Sequence, residues 1–199
     1  MSRLADGAVM TPGRLEAFSD GVLAILITLM AFHLEPPKGG RFSDLDATVP
    51  HLLAFALSFV LLAIYWNNHH HLLRATDRID GAVMWANMGL LFFLTLIPEA
   101  TDWLGAHHGS TGPAVLYGIV GLCAGAAYTV LVRAIIRANP GSAVAVAIGR
   151  DRKGLASLVL YAVGAVVSLA NASVGLAFYV IVSIMWLVPD RRLTEVTNR

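Results

Sequence analysis

Long apolar runs, separated by short polar stretches, make up most of this chain. Each run approaches the roughly 20 residues that a helix needs to cross the hydrocarbon core of a bilayer. The stretches between them carry Pro, Gly, Asn and charged residues, which end helices. This pattern predicts an all-α integral membrane protein with six transmembrane helices in one domain over residues 1–199. The predicted spans are 14–34, 49–72, 82–104, 113–137, 154–171 and 173–189.

Composition supports the membrane class. Hydrophobic residues make up 57% of the chain and charged residues only 14%, whereas about 25% of an ordinary soluble domain is charged. The net charge of +1 gives no indication of a nucleic-acid partner. A cleaved signal peptide is not expected, because Glu16 and Asp20 precede the first run and Pro36-Pro37 follows it, where a basic region and small residues would be needed.

Lys and Arg are distributed unevenly between the two sides of the predicted bundle. With six spans, both termini share one side, and that side holds all of the 14 basic residues except Lys38 and Arg41. Cytoplasmic loops are enriched in Lys and Arg, so both termini are predicted to be cytoplasmic. The opposite side carries five acids that either form an electronegative mouth or are ordinary solvated loop charges. They are Glu35, Asp44, Asp46, Glu99 and Asp102.

The first predicted helix carries a narrow stripe of large apolar side chains. At about 100° per residue, the stripe extends only about 40° to either side of Phe18, with Thr28 on its flank. Its members are Phe18, Val22, Ile25, Leu29 and Phe32. From the residues alone, plain contact with lipid or with other helices explains such a stripe as well as a functional role does.

Asp20 lies about 200° around the helix from Phe18, so we expect its face to pack against other helices. A charged side chain costs about 2.5–3.5 kcal/mol at the centre of a membrane helix and is kept where it pairs, lines water or serves function. Partners are available for Asp20, Ser19 and Arg14. They are a His and an Asn at the end of the second span, with Trp85 and Asn87 on the third.

Three consecutive histidines, His69–His71, end the second span and raise the possibility of a metal site. Neighbouring residues on a helix point about 100° apart, so three of them cannot converge on one ion. No Cys or carboxylate ligand pattern accompanies them. The sequence therefore predicts no metal and no cofactor. It also shows no phosphate-binding loop, no nucleophile elbow and no selectivity filter of the Thr-Val-Gly-Tyr-Gly kind.

A motif in the first helix closely resembles the signature of the transmembrane protein 175 family, the endosomal and lysosomal potassium channels and their prokaryotic homologues. It reads Arg14-x-x-x-Phe18-Ser19-Asp20-Gly21-x-x-Ala24-Ile25-x-x-Thr28-Leu29. The end of the second span, Tyr65-Trp66-x-x-His69-His70, is similar to that family too. The resemblance implies a potassium-preferring cation channel in a prokaryotic plasma membrane, with potassium as the permeant ion and no enzymatic activity. Animal members have two six-span repeats and work as dimers, so this single repeat is expected to form a homotetramer in the lipid bilayer.

The resemblance also implies roles for individual residues. The first helix would line the pore on the four-fold axis, with Val22 on the lining stripe and the constriction at Ile25. Further layers would lie at Leu29 and Phe32, although the family pattern has Leu at the latter, and Thr28 would supply a hydroxyl layer. A polar network would tie this helix to the second and third. Its predicted members are Arg14, Phe18, Ser19, Asp20, Trp66, His70, His71 and Asn87.

Two other functions stay open at this stage. A secondary transporter of a cation or small solute would be favoured by broken helices and inverted repeats, and neither is visible in the sequence. A membrane enzyme would use His70, His71 and Asp20.

Overall fold

The structure is a computed structural model that describes residues 10–142 and 152–187, and every regular element in these ranges is a helix. A short 3-10 helix, Phe42–Ala47, follows the first α-helix. The α-helices in chain order are α1 (Pro12–Phe32), α2 (Val49–Arg74), α3 (Gly81–Thr95), α4 (Ile97–Ala106), α5 (Thr111–Ala138), α6 (Arg152–Ser168) and α7 (Ala172–Leu187).

Four helical segments of the described chain are long and apolar enough to cross a membrane. They are α1, α2, the combined α3 and α4, and α5. This finding confirms the predicted all-helical, multi-pass membrane protein. The predicted fifth and sixth spans correspond to α6 and α7, which have 17 and 16 residues. Some of the predicted features lie outside the described residues: positions 188–189 of the sixth span, and Arg3, Arg150, Arg191, Arg192 and Arg199 of the basic side.

The predicted third span, 82–104, is divided into two helices at Leu96. Pro98 stands near the start of α4, where its missing N–H and fixed φ are tolerated. Leu96 keeps helical dihedral angles, and its N–H donates to the Phe93 carbonyl at 3.2 Å. The break is therefore a local irregularity within one apolar segment, Gly81–Ala106.

Helix α5 lies at the centre of the bundle and packs against α3, α4, α6 and α7, whereas α1 packs mainly against α2, α3 and α4. Three tyrosine rings stack between α5, α6 and α7, with centroids 5.7 Å apart for Tyr117 and Tyr179 and 5.5 Å apart for Tyr161 and Tyr179. The Tyr179 hydroxyl donates to the Ala114 carbonyl at 3.0 Å. Because lipid is as apolar as Leu, such close packing and interhelical hydrogen bonds hold membrane helices together.

Helices α6 and α7 form a tight hairpin. The Asn171 side chain accepts a hydrogen bond from the Val174 N–H at 3.1 Å and caps the start of α7. At Gly175 the two backbones come so close that an added Cβ would lie 2.7 Å from the Gly164 carbonyl oxygen and would collide with Ser168. A small residue at this position is what permits the approach.

We expect Gly175→Ala to lower the thermal unfolding midpoint of the detergent-purified protein. Its added methyl group meets backbone atoms that cannot rotate away, and overpacking of this kind costs about 1–3 kcal/mol. Gly89→Ala is the matched control, because no atom lies within 4 Å of a Cβ at this position of α3. Unfolding is monitored by tryptophan fluorescence. Equal thermal midpoints for the two variants would contradict the close packing of α6 and α7.

Candidate functional site

Helix α1 presents two different faces. Its buried face packs against the neighbouring helices and consists of Leu15, Ser19, Leu23, Leu26 and Met30. Its other face is open to the outside of the chain and carries most of the apolar stripe: Phe18, Ile25, Leu29 and Phe32. The exposed fraction is 59% for Ile25 and 79% for Phe32, against 1% for Leu23. The stripe is thus free to contact something other than its own chain.

The flank of the stripe is built from small or hydroxyl side chains, since Gly21, Ala24 and Thr28 are all exposed. Small residues allow other helices to approach closely. The Thr28 hydroxyl donates to the Ala24 carbonyl at 2.9 Å. With its proton used in this way, the Thr28 oxygen can act outward only as an acceptor.

Val22 and Asp20 lie at the two edges of the buried face. Val22 is half-buried and packs against the core, unlike the other members of the stripe. The buried face is centred near Ser19, about 100° around the helix from Phe18 rather than opposite to it. Asp20, at about 200°, therefore falls beside this face instead of at its centre. It is half-buried, and its Oδ1 is shielded from solvent without a hydrogen-bond partner in the described part of the chain.

A buried chain of hydrogen bonds joins α1, α3 and α2. The Ser19 hydroxyl donates to the Leu15 carbonyl at 2.9 Å, and the Asn87 Nδ2 donates to the Ser19 Oγ at 3.0 Å. The Asn87 Oδ1 lies 2.7 Å from the His69 Nε2, which must be the donor because the amide oxygen only accepts. All three side chains are buried. This Ser19–Asn87–His69 chain satisfies groups that would otherwise be costly inside a membrane protein.

His69 is the histidine of the Ser19–Asn87–His69 chain of hydrogen bonds, whereas His70 and His71 were the histidines predicted for the polar network. The signal for His69 was available in the spacing of α2, because His69 lies seven residues after Leu62 and three before Leu72, which are both buried. Residues at that spacing share a helix face.

His70 belongs to a second cluster, between α1 and α2. Its Nδ1 lies 2.6 Å from the Glu16 Oε1, and its ring stacks on Trp66 with centroids 5.8 Å apart. The Arg74 Nε lies 3.9 Å from the same Glu16 oxygen. His71 contacts this cluster edge-on, with its ring centroid 5.6 Å from that of His70. Sequence reasoning missed Glu16, although it precedes Asp20 by one helical turn on the same side of α1.

Arg14 and Phe18 are exposed and lie outside both clusters. No ion pair connects Arg14 to another residue in the ranges 10–142 and 152–187. In the described part of one chain, the polar side-chain connections from α1 to its neighbouring helices therefore pass through Ser19 and Glu16.

This chain is similar in sequence to known membrane channels. The family model described as endosomal/lysosomal potassium channel TMEM175 matches residues 14–98, which cover most of α1 and all of α2 and α3. A potassium channel of Chryseobacterium sp. (strain P1-3) is 42% identical over 94% of this chain and 97% of its own length. The human endosomal/lysosomal proton channel TMEM175 is 36% identical over 42% of this chain and 18% of its own length.

A solved structure also resembles this chain along most of its length. It is the crystal structure of a lysosomal potassium-selective channel TMEM175 homolog from Chamaesiphon minutus. The TM-score is 0.70 at 25% sequence identity, and the match covers 90% of this chain and 97% of that one.

Proposed function

We propose a function from one premise: this chain belongs to the TMEM175 family of endosomal/lysosomal potassium channels. The membership confirms the family that the first-helix motif indicated. The chain is a potassium channel and not an enzyme. It conducts potassium down its electrochemical gradient through a pore with a hydrophobic constriction.

One observation carries the proposal for the pore: α1 is packed on one face only. The other face exposes an apolar stripe and, beside it, the Thr28 hydroxyl. When copies of α1 converge, this face lines the space between them. Ile25 then forms the narrowest ring, and such a ring also gates by dewetting. Leu29 and Phe32 form further layers.

Selectivity in this arrangement is expected to be modest. A ring of Ile25 side chains has no oxygen atoms with which to replace the hydration shell of an ion, unlike a filter of backbone carbonyls. The Thr28 oxygens are acceptors on the exposed side of α1, one turn from Ile25. In this proposal Thr28 or backbone groups nearby, rather than the constriction, supply the potassium preference.

The pore is assembled by four chains, because a single chain supplies only one α1 and cannot enclose a water-filled path. We expect native mass spectrometry in detergent to give four times the chain mass of 21.2 kDa. A stable monomer or dimer as the dominant species would contradict a central pore lined by α1.

The proposed location is a prokaryotic plasma membrane, with six spans and both termini in the cytoplasm. Support comes from the excess of Lys and Arg on the side of the termini. The acidic residues of the other side then face outward and raise the local cation concentration at the mouth of the pore.

Current recorded from the purified protein in planar bilayers tests the proposal against a secondary transporter. A channel gives discrete current steps whose size increases with voltage. Its current does not saturate at low ion concentration. Saturable exchange without resolvable steps would instead favour the transporter.

A further inference from the structure

We propose that Glu16, Asp20 and His70 form a binding site for a zinc-type divalent metal ion between α1 and α2. Each side chain offers one ligand atom, and these three atoms lie within 4.8 Å of one another. The two carboxylates stand one turn apart on α1, where residues four apart are neighbours, and the imidazole comes from α2. The site thus bridges two helices.

Two of the ligand atoms lack the partners that buried polar atoms normally have. The Asp20 Oδ1 is shielded from solvent and has no hydrogen bond in the described chain. The His70 Nδ1 lies only 2.6 Å from the Glu16 Oε1, yet the contact lacks the geometry of a hydrogen bond. Buried polar groups in proteins are nearly always satisfied by protein, water or an ion. A cation between the three side chains would satisfy all of them at once.

The donor set favours zinc over the hard cations. One imidazole nitrogen with two carboxylate oxygens is a ligand set that zinc accepts, with bonds of about 2.0–2.2 Å and a fourth position left to water. Calcium and magnesium prefer sites built entirely from oxygen. Tetrahedral zinc needs ligand atoms about 3.4 Å apart. Binding therefore requires the 2.6 Å between the Glu16 Oε1 and the His70 Nδ1 to widen, while any longer spacing in the set, which reaches at most 4.8 Å, shortens.

This site differs from the arrangement that the sequence excluded. The three adjacent histidines point in different directions around one helix, and only His70 takes part here. The two carboxylates come from another helix, so no ligand pattern beside the histidines in the sequence reveals them. The charge also fits, since two carboxylates face one imidazole, and the nearby Arg74 is 3.9 Å from Glu16 and mostly exposed.

Zinc binding to the purified full-length protein in detergent tests the site, with isothermal titration calorimetry as the readout. We expect one zinc per chain, and at least a tenfold loss of affinity in both Glu16→Gln and His70→Gln. The matched control is His108→Gln, an exposed histidine in the loop after α4, which should leave the affinity unchanged. Cobalt in place of zinc should give the visible absorption of a tetrahedral ion in the wild-type protein, a measurement that needs no variant.

Three results would overturn the site. The first is undiminished zinc affinity in Glu16→Gln and His70→Gln. The second is an equal loss in His108→Gln, which would mean surface binding only. The third is a cobalt spectrum without tetrahedral bands, which leaves Glu16 and His70 as an ordinary ion pair. The readout is metal binding and not current, so its outcome is independent of the proposed channel function.

Discussion

Replacing Ile25 with Asn is expected to raise both the single-channel conductance and the sodium leak. Ile25 is exposed on the free face of α1, about 16 Å from Arg14 along the helix axis and so near the middle of the membrane. An amide at the proposed Ile25 ring would hold water there and remove the proposed dewetting barrier to ions. Planar-bilayer recordings under a potassium/sodium gradient measure both effects.

Ile25→Ala should also raise conductance, by widening the ring, and it should weaken the potassium preference. Cysteine variants separate the two faces of α1: Ile25→Cys should react with cadmium or thiol reagents and block the current. Leu23→Cys is the matched control on the buried face, where the side chain is 1% exposed, and it should not react. Unchanged conductance and selectivity in both Ile25→Asn and Ile25→Ala, with normal assembly, would move the constriction to Leu29 or Phe32.

Asn87→Ala is expected to have the largest effect on stability. Asn87 links the Ser19 hydroxyl to His69, so its loss leaves both buried groups without that partner. Each unsatisfied buried group costs about 1–3 kcal/mol. We expect a lower thermal midpoint and, in size-exclusion chromatography, a smaller fraction of the proposed tetramer.

The matched control for Asn87→Ala is Asn67→Ala, which removes the same amide from a half-buried position of α2. No side-chain hydrogen bond joins Asn67 to the other described residues. Equal midpoints for the two variants would show that the Ser19–Asn87–His69 chain contributes nothing to holding α1 against α2 and α3.

The faces of α1 were predictable from the sequence because helical periodicity is local. Angle alone distinguishes Ile25 and Leu29 from Leu23, and the structure exposes the first two and buries the third. Helical periodicity alone did not indicate on which side of α1 the neighbouring helices pack. The buried face is centred on Ser19, so Asp20 and Val22 fall at its edges, and that depends on where α2 and α3 lie.

Contacts between helices were harder to predict, because they depend on tertiary geometry. The histidine that meets α3 was not predicted, although the spacing of α2 places His69 on the buried face of that helix, and His69 is the one that reaches Asn87. Glu16 was read as evidence against a signal peptide, and its contact with His70 needs the crossing of α1 and α2. The break at Leu96 was not predicted, because the apolar run continues through it without interruption. Pro98 lies in the first turn of α4, where a proline is tolerated and need not end the membrane span.

The reversal potential of the wild-type protein in a bilayer tests the central claim most directly. The recording uses potassium on one side, sodium on the other and the same pH on both. We predict a reversal potential shifted clearly towards the potassium equilibrium potential, and a smaller shift in Thr28→Ala. A reversal potential at zero in the wild-type protein, or one that follows an imposed pH gradient instead, would contradict a potassium-preferring channel.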